Sequence, residues 1–168
     1  MTYSAVPVET LKSPNHGGVR TRTLGVILHS TRSGVAGRVA EYHRTVNYMM
    51  KVGTVSSHRV IGVIDGEHAQ LVDDDLVAWH AQEDNHYYLS IEFCQPRPQD
   101  SYTQYQEETG IAVVVEWFTR YGIVPGTSTI MPHSGTAQGR RNGKSDPGPL
   151  FNLDRFVSEV RKRMGLWS

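Results

Sequence analysis

His29 closes an apolar run, Leu24-Gly-Val-Ile-Leu-His-Ser-Thr31, and far downstream His133 lies thirteen residues before Asp146 in the segment Lys144-Ser-Asp-Pro-Gly148. Two imidazoles and a carboxylate are ligand types that zinc takes in hydrolytic sites, which commonly hold three protein ligands and leave a fourth position for water. Such a site would polarise a carbonyl and activate water for hydrolysis, so the chain reads as a candidate metallohydrolase. Each residue also has an ordinary explanation. His29 alone reads as a satisfied structural histidine, His133 as a solvated loop residue, and Asp-Pro-Gly as turn chemistry. No His-Glu-x-x-His signature is present. Residue types and spacing alone therefore leave the metal open.

The elements that must position these residues follow from the hydrophobic periodicity. Residues 1–22 are polar, contain Pro14-Asn-His-Gly-Gly18, and read as an irregular N-terminal arm before a first strand over 24–30, with the remaining domain running over 23–168. Val35, Val39, Tyr42, Val46 and Met49 recur at helical spacing, which predicts a helix over 35–50 with one apolar stripe on the sheet. Residues 59–64 and 67–72 flank Asp65-Gly66, a two-residue turn signal that predicts an antiparallel hairpin. The acidic run Asp73 to Asp75 reads as a solvated turn, since it lacks the spaced loop of a calcium site.

Residues 87–93 carry aromatic and β-branched side chains and read as another strand, with Glu92 near its C-terminal end. Ile111, Val114, Val115, Phe118 and Tyr121 mark a helix that stops at Gly122. A short strand over 128–131 leads into His133, residues 134–149 read as a loop, and Leu153, Phe156, Val157, Val160 and Met164 give a last helix behind Asn152 as cap. Strands and helices interleave, so the expected fold class is α/β, a single domain whose central mixed sheet is flanked by helices.

The chain has 168 residues, enough for one domain with a substantial core. Seventeen basic residues balance seventeen acidic ones, so charge calls for neither nucleic acid nor an anionic membrane surface. The single Cys94 excludes an intramolecular disulfide, and no stretch has signal-peptide or membrane-span character. Folding in the cytoplasm of the producing cell, as a monomer without membrane insertion, is the expectation.

Five motifs then carry a resemblance. Leu28-His29-Ser30-Thr31, Val55-Ser-Ser-His-Arg-Val-Ile61 before Asp65-Gly66, Ala78-Trp79-His80-Ala81, Leu89-Ser-Ile-Glu92, and His133 with Lys144-Ser-Asp-Pro-Gly-Pro149 resemble, in order, the motifs of zinc-dependent N-acetylmuramoyl-L-alanine amidases. That family includes type 2 amidases, phage endolysins and peptidoglycan-recognition proteins. The resemblance runs over about 24–156. It implies that His29, His133 and Asp146 hold one zinc ion, with Asp146 where some relatives carry cysteine. It also implies that Glu92 is general base and then acid, and that Lys144 stabilises the oxyanion.

His80 resembles a groove-lining residue, while Trp79, Asn85 and His58 are weaker substrate-binding assignments. Some relatives place a tyrosine just before the histidine of the second motif; here that position is Ser57, which shifts the proton-transfer role onto Glu92. A Gly-Lys-Ser phosphate-loop reading fails, because the earlier glycine it requires is Gln138. The implied partner is peptidoglycan or its muropeptides, with lysis of the bacterial wall after release of the enzyme. A cytoplasmic recycling amidase and a non-cutting peptidoglycan-recognition module are the alternatives.

Overall fold

The structure is a computed structural model and describes residues 3–34 and 38–166. In chain order the strands and helices are β1 (Glu9–Thr10), β2 (His16–Val19), β3 (Gly25–Ser30), α1 (Arg38–Met49), β4 (Arg59–Ile61), β5 (His68–Gln70), β6 (Leu76–Ala78), β7 (Tyr88–Phe93), α2 (Gln104–Tyr121), β8 (Ile130–Pro132), α3 (Ala137–Arg141) and α4 (Leu153–Arg163). Six strands form one sheet in the order β1-β5-β4-β7-β3-β8, and β2 pairs with β6 in a second, two-stranded sheet. β4, β7, β3 and β8 run parallel, whereas β4 and β5 form the antiparallel hairpin. The mixed α/β sheet expected from the sequence is the one observed.

Strand β3 is buried along its whole length, as a parallel strand covered on both faces must be. Val26 and Leu28 point into the core beneath α2 and α4, together with Leu89, Ile91 and Phe93 of β7. The pleat therefore turns His29 and Glu92 to the opposite face, and the register pairs them side by side on neighbouring strands. That face is covered by α1, whose Tyr42, Val46 and Met49 pack on Val60, Ala69 and Cys94. The Val35 and Val39 side chains of the expected stripe lie outside the described residues.

Helix α2 begins with a capping box, in which the Thr103 side chain accepts from the Gln106 N–H and the Gln106 side chain accepts from the Thr103 N–H. It ends at Gly122, whose φ of 64° lets its N–H return to the Phe118 carbonyl. Asn152 caps α4 by accepting from the Arg155 N–H.

Three expectations are corrected. The arm is not irregular throughout: β1 extends the sheet beyond β5 and β2 pairs with β6. These strands are too short and too exposed to show a periodicity. The hairpin turn is longer than two residues, because Gly62 N–H still bonds the Glu67 carbonyl at 2.7 Å, leaving 63–66 as the loop. The segment 134–149 contains α3, started by Thr136, whose side chain accepts from the Gly139 N–H.

The acidic run also departs from a solvated turn. Asp74 is 6% exposed; it accepts from both terminal nitrogens of buried Arg59 at 2.7 and 3.1 Å and from Arg120 at 3.0 Å. Arg59 lies over the Trp117 ring at 5.2 Å. Burial alone would raise the Asp74 pKa, but the charge and hydrogen bonds of Arg59 outweigh it and hold the carboxyl below its usual range. Removing one partner of such a pair strands the other charge. Asp74→Ala is therefore expected to lower unfolding stability by about 3–5 kcal/mol, read by urea denaturation. A loss below about 1 kcal/mol would show that the network behaves as a surface pair.

Candidate metal centre and groove

The parallel strands all end at one edge of the sheet, where open α/β sheets place their ligand sites. β3 delivers His29 there, β7 delivers Glu92, and β8 passes into a 3-10 turn that starts at His133. Asp146 returns to the same point from the segment after α3, with Ser30 N–H 3.4 Å from its Oδ2. His29, His133 and Asp146 are 4%, 5% and 8% exposed. Residues more than a hundred positions apart thus converge in a nearly dry site.

The convergence is tight. His29 Nδ1 is 3.1 Å from His133 Nδ1, His133 Nδ1 is 3.2 Å from Asp146 Oδ2, and His29 Nδ1 is 3.4 Å from the same oxygen. Three ligands at about 2.0 Å from a tetrahedral zinc ion stand about 3.3 Å apart, so this triangle has the size of one tetrahedral face. Hydrogen bonding alone does not explain it, since two facing ring nitrogens share one proton and the carboxylate supplies none. Burial alone would raise the Asp146 pKa, yet the close approach of His133 and then His29 holds it far below the carboxylate range. An anion and two imidazoles aimed at one point fit a divalent cation, and these three are the cluster among the described residues able to hold one.

Each histidine has a second contact. His29 Nε2 is 3.0 Å from His80 Nδ1, and His133 Nε2 is 2.7 Å from Gln138 Oε1. Gln138 was not evident from the sequence, because it reaches His133 only through the single turn of α3. The cap signal Thr136-x-x-Gly139 is the feature that points to that turn. Gly139 is needed there for space: a Cβ would lie 1.8 Å from the His133 carbonyl oxygen. Gly139→Ala is expected to displace His133, with a stability loss of about 1–3 kcal/mol and weaker metal binding, measured by thermal unfolding and chelator competition. Unchanged metal affinity would contradict it.

The site opens on two cavities that share Val55 in their walls. The first, of about 590 Å³, is lined by Thr31 and Glu92 of the strand ends, by Glu41, Arg44 and Tyr48 of α1, and by Lys51 just after it, among others. The second, of about 470 Å³, is lined by Trp79, His80, Asn85, His133, Gln138 and Lys144 among others. Glu92 therefore lines the first cavity and Lys144 the second. Burial, then the carboxylates of Asp146 and Glu41, push the Glu92 pKa well above its ordinary value, against a smaller opposing effect of Lys144. Glu41 is itself buried and accepts from the hydroxyls of Thr31 and Ser33.

The remaining assignments separate. Trp79 is 38% exposed and faces the groove. Asn85 lines it too, but its Oδ1 accepts from the His80 and Ala81 N–H groups at 2.9 and 2.6 Å, so it also clamps that loop. His58 does not belong to the groove. It is fully buried, with Nδ1 3.1 Å from the Ser90 hydroxyl and Nε2 3.0 Å from the Leu76 carbonyl, and burial lowers its pKa to about 3. Ser57 is equally buried and donates to the Arg59 carbonyl at 3.0 Å, so the second motif contributes structure here and no proton-transfer group.

Fold and site together define a class: an α/β domain with two histidines and an aspartate gathered at the C-terminal edge of parallel strands in an arrangement that could hold a metal ion. The profile of the N-acetylmuramoyl-L-alanine amidase family (Amidase_2) matches residues 20–149, which include His29, His133 and Asp146. The chain belongs to this family. It is 30% identical over 80 residues to N-acetylmuramoyl-L-alanine amidase A of Achromobacter lyticus, a match that spans 48% of this chain and 42% of that protein.

Solved structures share the fold. The crystal structure of an AmpD derivative superposes with a TM-score of 0.67 at 24% identity, covering 95% of this chain and 99% of that one. A mutant endolysin from Bacillus subtilis gives 0.65 at 18% identity over 90% and 97% of the two chains. The Escherichia coli amidase AmiD, in complex with the substrate anhydro-N-acetylmuramic acid-L-Ala-D-gamma-Glu-L-Lys, gives 0.67 at 19% identity over 85% and 58%.

Proposed function

We propose that the chain is a zinc-dependent N-acetylmuramoyl-L-alanine amidase that hydrolyses the amide between the lactyl group of N-acetylmuramic acid and L-alanine in peptidoglycan. The observation that carries this reading is the triangle of His29 Nδ1, His133 Nδ1 and Asp146 Oδ2, flanked by Glu92 on the neighbouring strand. When bound there, zinc supplies Lewis acidity toward water and toward the scissile carbonyl. The Glu92 carboxylate takes the proton of the attacking water and returns it to the leaving nitrogen, which an amide needs because its nitrogen leaves poorly unprotonated. Lys144, in the wall of the second cavity, offers its ammonium to the developing oxyanion. Trp79 and Asn85 form the wall of the second cavity. The groove orients the substrate, so that water and carbonyl meet within reach of Glu92 and Lys144.

The test is mass spectrometry of purified sacculi after digestion, with and without a chelator. New L-alanine amino termini that vanish with the chelator are expected, whereas new reducing sugar ends would overturn the proposal. An endolysin role, acting on the wall after release from the producing cell, predicts that intact sacculi are cut at least as well as soluble anhydro-muropeptides. The opposite preference would mark a recycling amidase.

A further inference from the structure

His80 lines the groove, where a substrate contact is the obvious role, yet both of its ring nitrogens are already engaged. Nε2 is 3.1 Å from the Tyr88 carbonyl, and Nδ1 is 3.0 Å from His29 Nε2. A carbonyl oxygen accepts and never donates, so His80 Nε2 must carry the hydrogen. A neutral imidazole carries one N–H, so with the hydrogen on Nε2 the Nδ1 of His80 is a bare acceptor. His29 Nε2 must then be the donor in the contact between the rings. With its one hydrogen on Nε2, a neutral His29 keeps a lone pair on Nδ1, and Nδ1 is the atom that faces His133 and Asp146.

We propose that His80 is a positioning residue: it relays the Tyr88 carbonyl to His29 and so fixes the His29 tautomer whose Nδ1 is ready for the metal. Gln138 does the same for His133, accepting from Nε2–H through Oε1 at 2.7 Å. The geometry supports a fixed relay. The rings of His29 and His80 meet edge to face at 87° with centroids 5.1 Å apart. The His80 backbone is pinned by Asn85, and the Tyr88 carbonyl belongs to β7, the strand that carries Glu92. One strand thus acts on His29 through the carbonyl of its first residue, Tyr88, and presents Glu92 near its end. Hydrogen-bond partners behind metal-ligating histidines fix tautomer and ring orientation in this way.

The consequence for zinc rests on the functional reading above, whereas the tautomer itself does not, so the two are tested separately. Long-range nitrogen-15 NMR of the metal-free protein is expected to show His29, His133 and His80 as Nε2–H tautomers. A proton on His29 Nδ1 would overturn the relay whether or not the protein is an amidase. Zinc affinity, read by competition with a chromophoric chelator, is expected to fall about 10–100-fold in His80→Phe, which has no acceptor. His80→Asn, whose Oδ1 takes the place of Nδ1, is expected to keep most of it. A substrate-contact role predicts the reverse pattern, with KM raised in both variants and zinc affinity unchanged, and that result would also overturn the proposal. Should the wild-type protein bind no zinc at all, the functional reading fails while the NMR result still decides the relay.

Discussion

Asp146→Ala is expected to remove zinc binding and amidase activity together while leaving the fold intact. Asp146 is the anionic corner of the ligand triangle, and its oxygen is the atom both imidazoles approach. Without it, two neutral rings remain, which neither offset the charge of a divalent ion nor complete a three-ligand set. Losing the metal's contribution to the reaction, several kcal/mol, corresponds to a rate loss of about a thousandfold or more. Stability supplies a readout independent of catalysis. Zinc at 100 times its Kd stabilises the protein it binds by about 2.7 kcal/mol, which for a domain of this size is roughly 5–11 °C in Tm. Scanning calorimetry with zinc and with a chelator is expected to show that increment in the wild type and none in Asp146→Ala. An equal zinc-induced shift in both proteins would remove Asp146 from the ligand set.

Glu92→Gln is expected to lower kcat by about 10²–10⁴, with zinc affinity close to that of the wild type. The amide keeps the shape of the side chain but neither takes nor returns a proton. The same substitution is expected to act in the opposite direction on stability. The Glu92 pKa is raised in the folded protein, by burial and then by Asp146 and Glu41, so folding favours its protonated form. That contribution is fully present below the unfolded glutamate pKa of about 4.3 and is lost as pH rises through the folded value. Above that range the folded chain holds a carboxylate that burial and two neighbours disfavour, and glutamine removes it. Urea unfolding of the zinc-free proteins should therefore show Glu92→Gln gaining on the wild type between pH 5 and pH 8. A kcat within tenfold of wild type would exclude Glu92 from proton transfer, and a relative stability that falls with pH would show that the carboxylate is stabilised in place.

Much of the framework was legible because it rests on local patterns. The continuous apolar run ending in His29 marks a buried parallel strand, Gly122 marks a helix end that needs positive φ, and Asn152 marks a helix start. The convergence of His29, His133 and Asp146 was legible only through the resemblance of five ordered motifs, since spacing cannot bring residues 29, 133 and 146 together. What stayed hidden depends on tertiary surroundings. Trp79 and His80 are adjacent in sequence, yet one ring is open to the groove and the other is tied at both nitrogens. His58 sits in an ordinary strand motif, and only the packing of Trp117 and Arg20 around it shows that it is sealed off. Asp74 reads as one of three solvated carboxylates until the fold sets Arg59 against it. Gln138 carries no signal of its own, because its role arises from the turn that brings it back to His133.

The short arm at the beginning of the chain also bears on behaviour in solution. Val8, Leu11 and Ser13 donate their N–H groups to the carbonyls of His68, Gln70 and Leu71, each at 2.8 Å, along the outer side of β5. The family match begins at residue 20, so a protein trimmed to that boundary would keep His29, His133 and Asp146 while baring this row of acceptors. An uncovered strand edge is a template for pairing with another chain. The arm thus serves as a selvedge for the sheet, and its removal would convert a self-contained domain into one prone to edge-to-edge association.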